Sequence, residues 1–199
     1  MSPLEQEPGD LITDLDRILA GLKRLGRQRT IELLKPGVPQ DRTREALQEL
    51  ALTPPRDLCE VYVWRNGTDV GAAATVDELY LFPGYYLLSL EDAVAEYRIR
   101  IGEEWHAAWF PMFADGGGGF FAVPCDADDR EFGQVVGLDG DGFPPAMAFL
   151  SVGRMVATIA QAYDNDMIRV DGDGYLEWDD EAFRELAAGM NPKAPYWRE

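Results

Sequence analysis

The apolar residues of this chain change their spacing near Leu79, and that change restricts the fold more than any other feature of the sequence. Before it they recur at intervals of three and four, the repeat that gathers side chains on one face of a helix. Leu11, Leu15, Ile18, Leu22 and Leu25 form such a stripe, widened by Ile12 and Leu19, so a helix is expected over residues 10–25 with Gly26 as its end. A stripe of this width reads as core rather than as a partner-binding face. Residues 29–34 read as a short strand before the breaker string Lys35-Pro36-Gly37-Val38-Pro39. A second helix is expected over residues 41–52, carrying Leu47 and Leu50. A third starts at Pro55 and runs to about Arg65, with Leu58, Val61, Tyr62 and Arg65 on one face and Asn66-Gly67 as its left-handed exit.

From Leu79 onward β-branched and aromatic residues gather between turn signals, the pattern of strands. Strands are expected at 80–82, 85–88, 109–114, 120–123 and 134–138, with Asp115-Gly116-Gly117-Gly118-Gly119 as a flexible hairpin turn. Helices interrupt them. Ser89 with Asp92 three residues later marks a capped start, followed by a buried stripe of Leu90, Ala93, Val94, Tyr97 and Ile101. A helix over 151–163 carries Val152, Met155, Val156, Ile159 and Tyr163, and a last one runs from Asp179 to Gly189. The expected class is α+β: a central, mostly antiparallel sheet with helices packed around it. The expected division is a helical lead-in over 1–52 and an α+β domain over 53–199, together one compact unit.

Charge narrows the function. The net charge is −18, and it is unevenly spread. Residues 1–52 hold nine acidic and eight basic side chains, whereas the remaining 147 hold 27 acidic and ten basic, a net of −17. Binding phosphate requires clustered Lys and Arg, so a nucleic-acid partner is excluded from the expectation. The same field accelerates encounter with a basic partner. Apolar and aromatic contents of 46% and 11% are those of a folding chain. No apolar run reaches the roughly 20 residues that span a bilayer, and the acidic start MSPLEQEPGD is unlike a secretory signal, so the expected place is the cytoplasm, with no membrane contact. Cys59 and Cys125 alone make neither a disulfide framework nor a four-ligand zinc site.

Each candidate for chemistry has a plainer explanation. His106, the single histidine, lies in Glu103-Glu104-Trp105-His106 without a nucleophile signature nearby. The glycine run lacks the Lys-Ser or Lys-Thr of a phosphate loop and lies between strands. Asp139-Gly140-Asp141-Gly142 and Asp171-Gly172-Asp173-Gly174 suggest calcium, but placing Gly174 at the sixth position of an EF-hand loop puts Arg169 at the first and Asp180 at the twelfth. Tight turns account for both strings. Neither catalysis, nor a cofactor, nor a metal is expected.

Four segments in order carry a resemblance. They are Pro54-Pro55-Arg56-Asp57-Leu58 leading to Tyr62-Val63-Trp64-Arg65-Asn66-Gly67; Leu81-Phe82-Pro83-Gly84-Tyr85 before Leu88-Ser89-Leu90-Glu91-Asp92-Ala93; Trp109-Phe110-Pro111-Met112-Phe113-Ala114 with the glycine run; and Gly133-Gln134-Val135-Val136-Gly137. Over residues 55–165 the chain resembles the SUKH superfamily, which includes the fungal cell-wall-assembly regulator and many bacterial immunity proteins. Gly119 and Pro124 stand where family members often carry acidic residues. The resemblance implies a SUKH-like fold and a protein that neutralises a toxin, commonly a nuclease, by binding it. The alternative it leaves open is a regulatory adaptor with no toxin. The expected partner is a basic toxin domain, met through two acidic stretches: Asp126, Asp128, Asp129 and Glu131 in one, and Asp171, Asp173, Glu177, Asp179, Asp180 and Glu181 in the other.

Overall fold

The computed structural model describes residues 10–102, 105–138 and 144–198. Its first helix, α1 (Leu11–Arg24), begins where the Asp10 carboxylate accepts the Thr13 N–H and ends as Gly26 turns left-handed at φ +75°. Leu11, Leu15, Ile18 and Leu22 are buried, so the stripe is core, as expected. It packs on α6 (Val152–Asp164), where Gly21 lets the helices close: a Cβ there would lie 2.5 Å from the Tyr163 ring. Tyr163 in turn donates its hydroxyl to the Leu81 carbonyl at 2.9 Å.

Residues 28–36 differ from expectation. Gln28–Glu32 form a short helix, α2, and only Leu34–Pro36 are extended, as β1. Helix α3 (Gln40–Gln48) stops short of residue 52, because the chain turns at Ala51 with φ 59° to bury Leu52. Helix α4 (Arg56–Trp64) starts after Pro55 and passes straight into β2 (Arg65–Thr68), which pairs antiparallel with β1. Asn66-Gly67 is therefore strand rather than helix exit, although Gly67 keeps the left-handed φ of +77°. Only glycine fits there, since a Cβ would fall 2.2 Å from the Ser89 nitrogen.

The main sheet has five antiparallel strands in the order β3-β4-β5-β6-β7: β3 (Tyr86–Leu87), β4 (Trp109–Ala114), β5 (Phe120–Pro124), β6 (Val135–Leu138) and β7 (Ala146–Phe149). The stretch 80–82 contributes only a bridge from Phe82 to Tyr85 around the Pro83-Gly84 turn. Strand β5 is buried along its whole length. In β4 the register slips between Pro111 and Phe113, where proline has no N–H to donate. Helix α5 (Leu90–Arg100) lies on β4; Ser89 caps it by accepting the Asp92 N–H at 3.2 Å, and Leu90, Ala93 and Tyr97 are buried. Ile101 lies past its end and is 41% exposed, outside the expected stripe.

Strand β7 and the hairpin of β8 (Ile168–Val170) with β9 (Leu176–Trp178) were not foreseen from the sequence. Helix α7 (Asp180–Met190) follows, capped by Asp179. The chain then crosses to the β7 edge, where the Trp197 indole donates to the Ala148 carbonyl at 2.6 Å and Tyr196 covers Gly137. Buried side chains from Leu11 to Ala187 form one continuous apolar cluster, so α1 and α3 share the core of the sheet. The class is α+β, and no helix is long and apolar enough to cross a membrane among the described residues.

Candidate interaction surface

The glycine loop is braced, not loose. Asp115 Oδ1 accepts the N–H groups of Gly117, Gly118 and Gly119 at 2.7, 2.9 and 2.9 Å, so the hairpin fills its own concave ring of donors with its own carboxylate. Such a ring has no room for a phosphate while Asp115 occupies it.

His106 is exposed and lies beside the Trp109 ring at 5.4 Å, with its Nδ1 accepting the Ala108 N–H. Both cysteines are buried, and burial pushes both thiols up, Cys125 the further. Cys125 Sγ donates to the Val123 carbonyl. A thiol held protonated in an apolar setting is a poor nucleophile. Among the described residues no group of three or more His, Cys, Asp or Glu side chains could hold a metal ion. Asp171-Gly172-Asp173-Gly174 is the turn of the β8–β9 hairpin, and Asp139-Gly140-Asp141-Gly142 lies outside the described residues. A groove of about 250 Å³ between α3 and α5 is lined by Arg42, Glu49, Leu90, Glu91, Val94 and Arg98. Its charges balance, with Arg98 3.9 Å from Glu49 and Glu91 accepting from Asn66 at 3.1 Å.

The acidic stretches divide by what their carboxylates do. In the β5–β6 loop, Asp126 accepts the Asp128 N–H at 3.0 Å, Asp129 accepts the Glu131 N–H at 2.9 Å, and Glu131 lies 3.7 Å from Arg130. These are turn-forming bonds. In the β8–β9 hairpin, Asp171 accepts the N–H groups of Asp173 and Tyr175 at 2.9 and 2.8 Å. Glu177 pairs with Arg169 across the hairpin at 2.7 Å, and Asp179 caps α7 through the Ala182 N–H at 3.1 Å. Asp128, Asp173, Asp180 and Glu181 are exposed, and their carboxylates make no hydrogen bond or ion pair among the described residues. No hydrogen bond or ion pair joins the two stretches among the described residues.

Several basic side chains of the N-terminal helices are met by carboxylates of the chain itself. Arg17 meets Asp14 and, at 2.6 Å, Asp164; Arg24 lies 3.8 Å from Asp166. Arg27 is the most enclosed. It pairs with buried Asp77 and donates to the carbonyls of Gly174 and Asp77 at 2.8 and 2.6 Å, while Asp77 Oδ1 accepts the Leu176 N–H at 3.1 Å. This joint fastens the β8–β9 hairpin to the segment after β2 and to the α1–α2 turn. Sequence reading missed it, because a lone Arg and a lone Asp 50 residues apart carry no local signal. The hairpin itself had one: Ile168 and Val170 alternate toward the Asp-Gly turn, and Leu176 and Trp178 alternate away from it.

No protein-family model matches the chain, and the comparison with curated proteins finds no match.

Proposed function

We propose that this chain is a non-catalytic protein-binding module that neutralises a basic toxin domain, a nuclease in the leading case, by covering it with an acidic exterior. The observation that carries the reading is the charge left over after folding. Residues 53–199 hold 27 acidic and ten basic side chains, Arg17 and Arg27 are already paired with Asp164 and Asp77, and Asp128, Asp173, Asp180 and Glu181 face solvent unpaired among the described residues. A nuclease requires a positive track for its substrate, and an acidic protein competes for that track. The ordered segments resembling SUKH immunity proteins favour the same function, and the cytoplasm is where such a protein would meet an incoming toxin.

The direct test takes the product of a neighbouring toxin gene with a basic terminal domain and measures binding and inhibition at low and high salt. The expected result is inhibition at equimolar ratio with an association rate that falls as salt rises. Unchanged binding after replacing the acids of both stretches by Asn and Gln, together with indifference to salt, would sink the electrostatic reading.

A further inference from the structure

We propose that the chain meets its partner through the face presented by the β8–β9 hairpin and the first turn of α7, with Tyr175 as the anchoring side chain. The partner surface this face fits is a protein one, bearing Lys and Arg around an apolar recess that takes the tyrosine ring. The inference rests on the acidic-surface reading and narrows it to one of two stretches.

Tyr175 is 53% exposed, the one aromatic among the large apolar side chains standing in solvent in the described residues. Tyrosine is favoured at the centre of interfaces, because it buries a rigid ring at small entropic cost and keeps a polar tip. Charge lies close to it along the chain. Asp173, Asp179, Asp180 and Glu181 are exposed within six residues of it, and the basic neighbour Arg169 is held by Glu177.

The backbone that presents Tyr175 is also fixed before any partner arrives. The Tyr175 carbonyl accepts the Asp171 N–H at 2.9 Å, the Tyr175 N–H is held by Asp171, the Gly174 carbonyl by Arg27, and the Leu176 N–H by Asp77. An anchor already in place loses little freedom on binding. The β5–β6 loop offers no such anchor: it exposes no large apolar side chain, and Arg130 stands 90% exposed among its acids. Nucleic acid is disfavoured at the hairpin by the sign of its charge.

The test is an NMR titration of the full ¹⁵N-labelled chain in low salt with two probes: a short all-arginine peptide, and one of the same charge with a central leucine. The expected result is shifts concentrated in residues 171–182 and tighter binding of the leucine-bearing peptide. Tyr175→Ser weakens that peptide by about tenfold, the ordinary scale for an anchor. The ring stands in solvent, so the substitution leaves the amide spectrum otherwise intact. Asp126→Asn with Asp129→Asn leaves affinity within about twofold, as expected for rim charges. Shifts centred on 126–131, or a Tyr175→Ser variant that binds both peptides like the parent, overturn this inference and leave the acidic-surface reading standing. No binding of either peptide at low salt removes both.

Discussion

The β5–β6 loop and the β8–β9 hairpin look alike in sequence, both short, acidic and bounded by strands, yet they are held in different ways. The tip of the loop is secured by bonds within itself, from Asp126 and Asp129 to N–H groups two residues on, while its root at Cys125 is tied by backbone bonds to Thr53 and Ala108. The hairpin has comparable bonds from Asp171, and in addition it is fastened from beneath by Arg27 and Asp77, which belong to distant parts of the chain. Local acids shape a turn, whereas a buried acid fixes where that turn sits. In the hairpin the second kind reaches the turn itself, at Gly174 and Leu176.

The largest effect that separates the two regions is Asp77→Ala. It strands the Arg27 guanidinium in a site where it is 14% exposed and removes the acceptor of the Leu176 N–H, so a loss of about 3–5 kcal/mol is expected. Urea denaturation reads the loss, and amide exchange should quicken at 168–178 but not at 126–131. Equal quickening in both would end the contrast.

A smaller effect acts on the core beneath both. Tyr62, Tyr163 and Cys125 are buried, and burial raises the pKa of each above its ordinary value. The folded state thus keeps protons that the unfolded chain releases from about pH 8.5 for a thiol and about pH 10 for a phenol. Stability is complete below those values and falls above them, by up to about 1.4 kcal/mol per pH unit for each group. Tyr62→Phe should flatten the alkaline limb without cost at neutral pH, because its buried hydroxyl has no hydrogen-bond partner among the described residues. Melting from pH 7 to 11 checks this, and loop and hairpin should respond alike.

Smaller still is the difference between the turns themselves. Asp171→Ala removes two acceptor bonds and should cost about 1–2 kcal/mol, while Asp126→Ala removes one bond at an exposed site and should cost about half as much or less. If the two variants melt together, the turns are equivalent and only the Arg27–Asp77 joint distinguishes them.

How much of this was legible in the sequence follows from the range over which each signal acts. The stripe of α1, the Ser89 cap and the strands flanking the glycine run are encoded within a few residues, and they form much as their patterns imply. Residues 29–34 carry β-branched Thr30 and Ile31, yet Gln28–Glu32 form the helix α2, in which Thr30 turns inward and is 1% exposed. Packing overrode a weak local preference. At Asn66-Gly67 the need for a left-handed glycine was readable, but its setting was not: the constraint is the Ser89 backbone, more than 20 residues away. The acidic residues were all visible in the sequence. Which of them fold the chain and which face solvent depended on N–H donors that only the finished turns supply.

The tail that crosses β7 settles how another molecule can approach the sheet. A strand joining from outside would need the Ala148 carbonyl, and Trp197 already holds it. The opposite border, β3, is two residues long. Recognition by lengthening this sheet is thereby disfavoured on both sides, and a partner is left to read side chains on turns and helices instead of backbone.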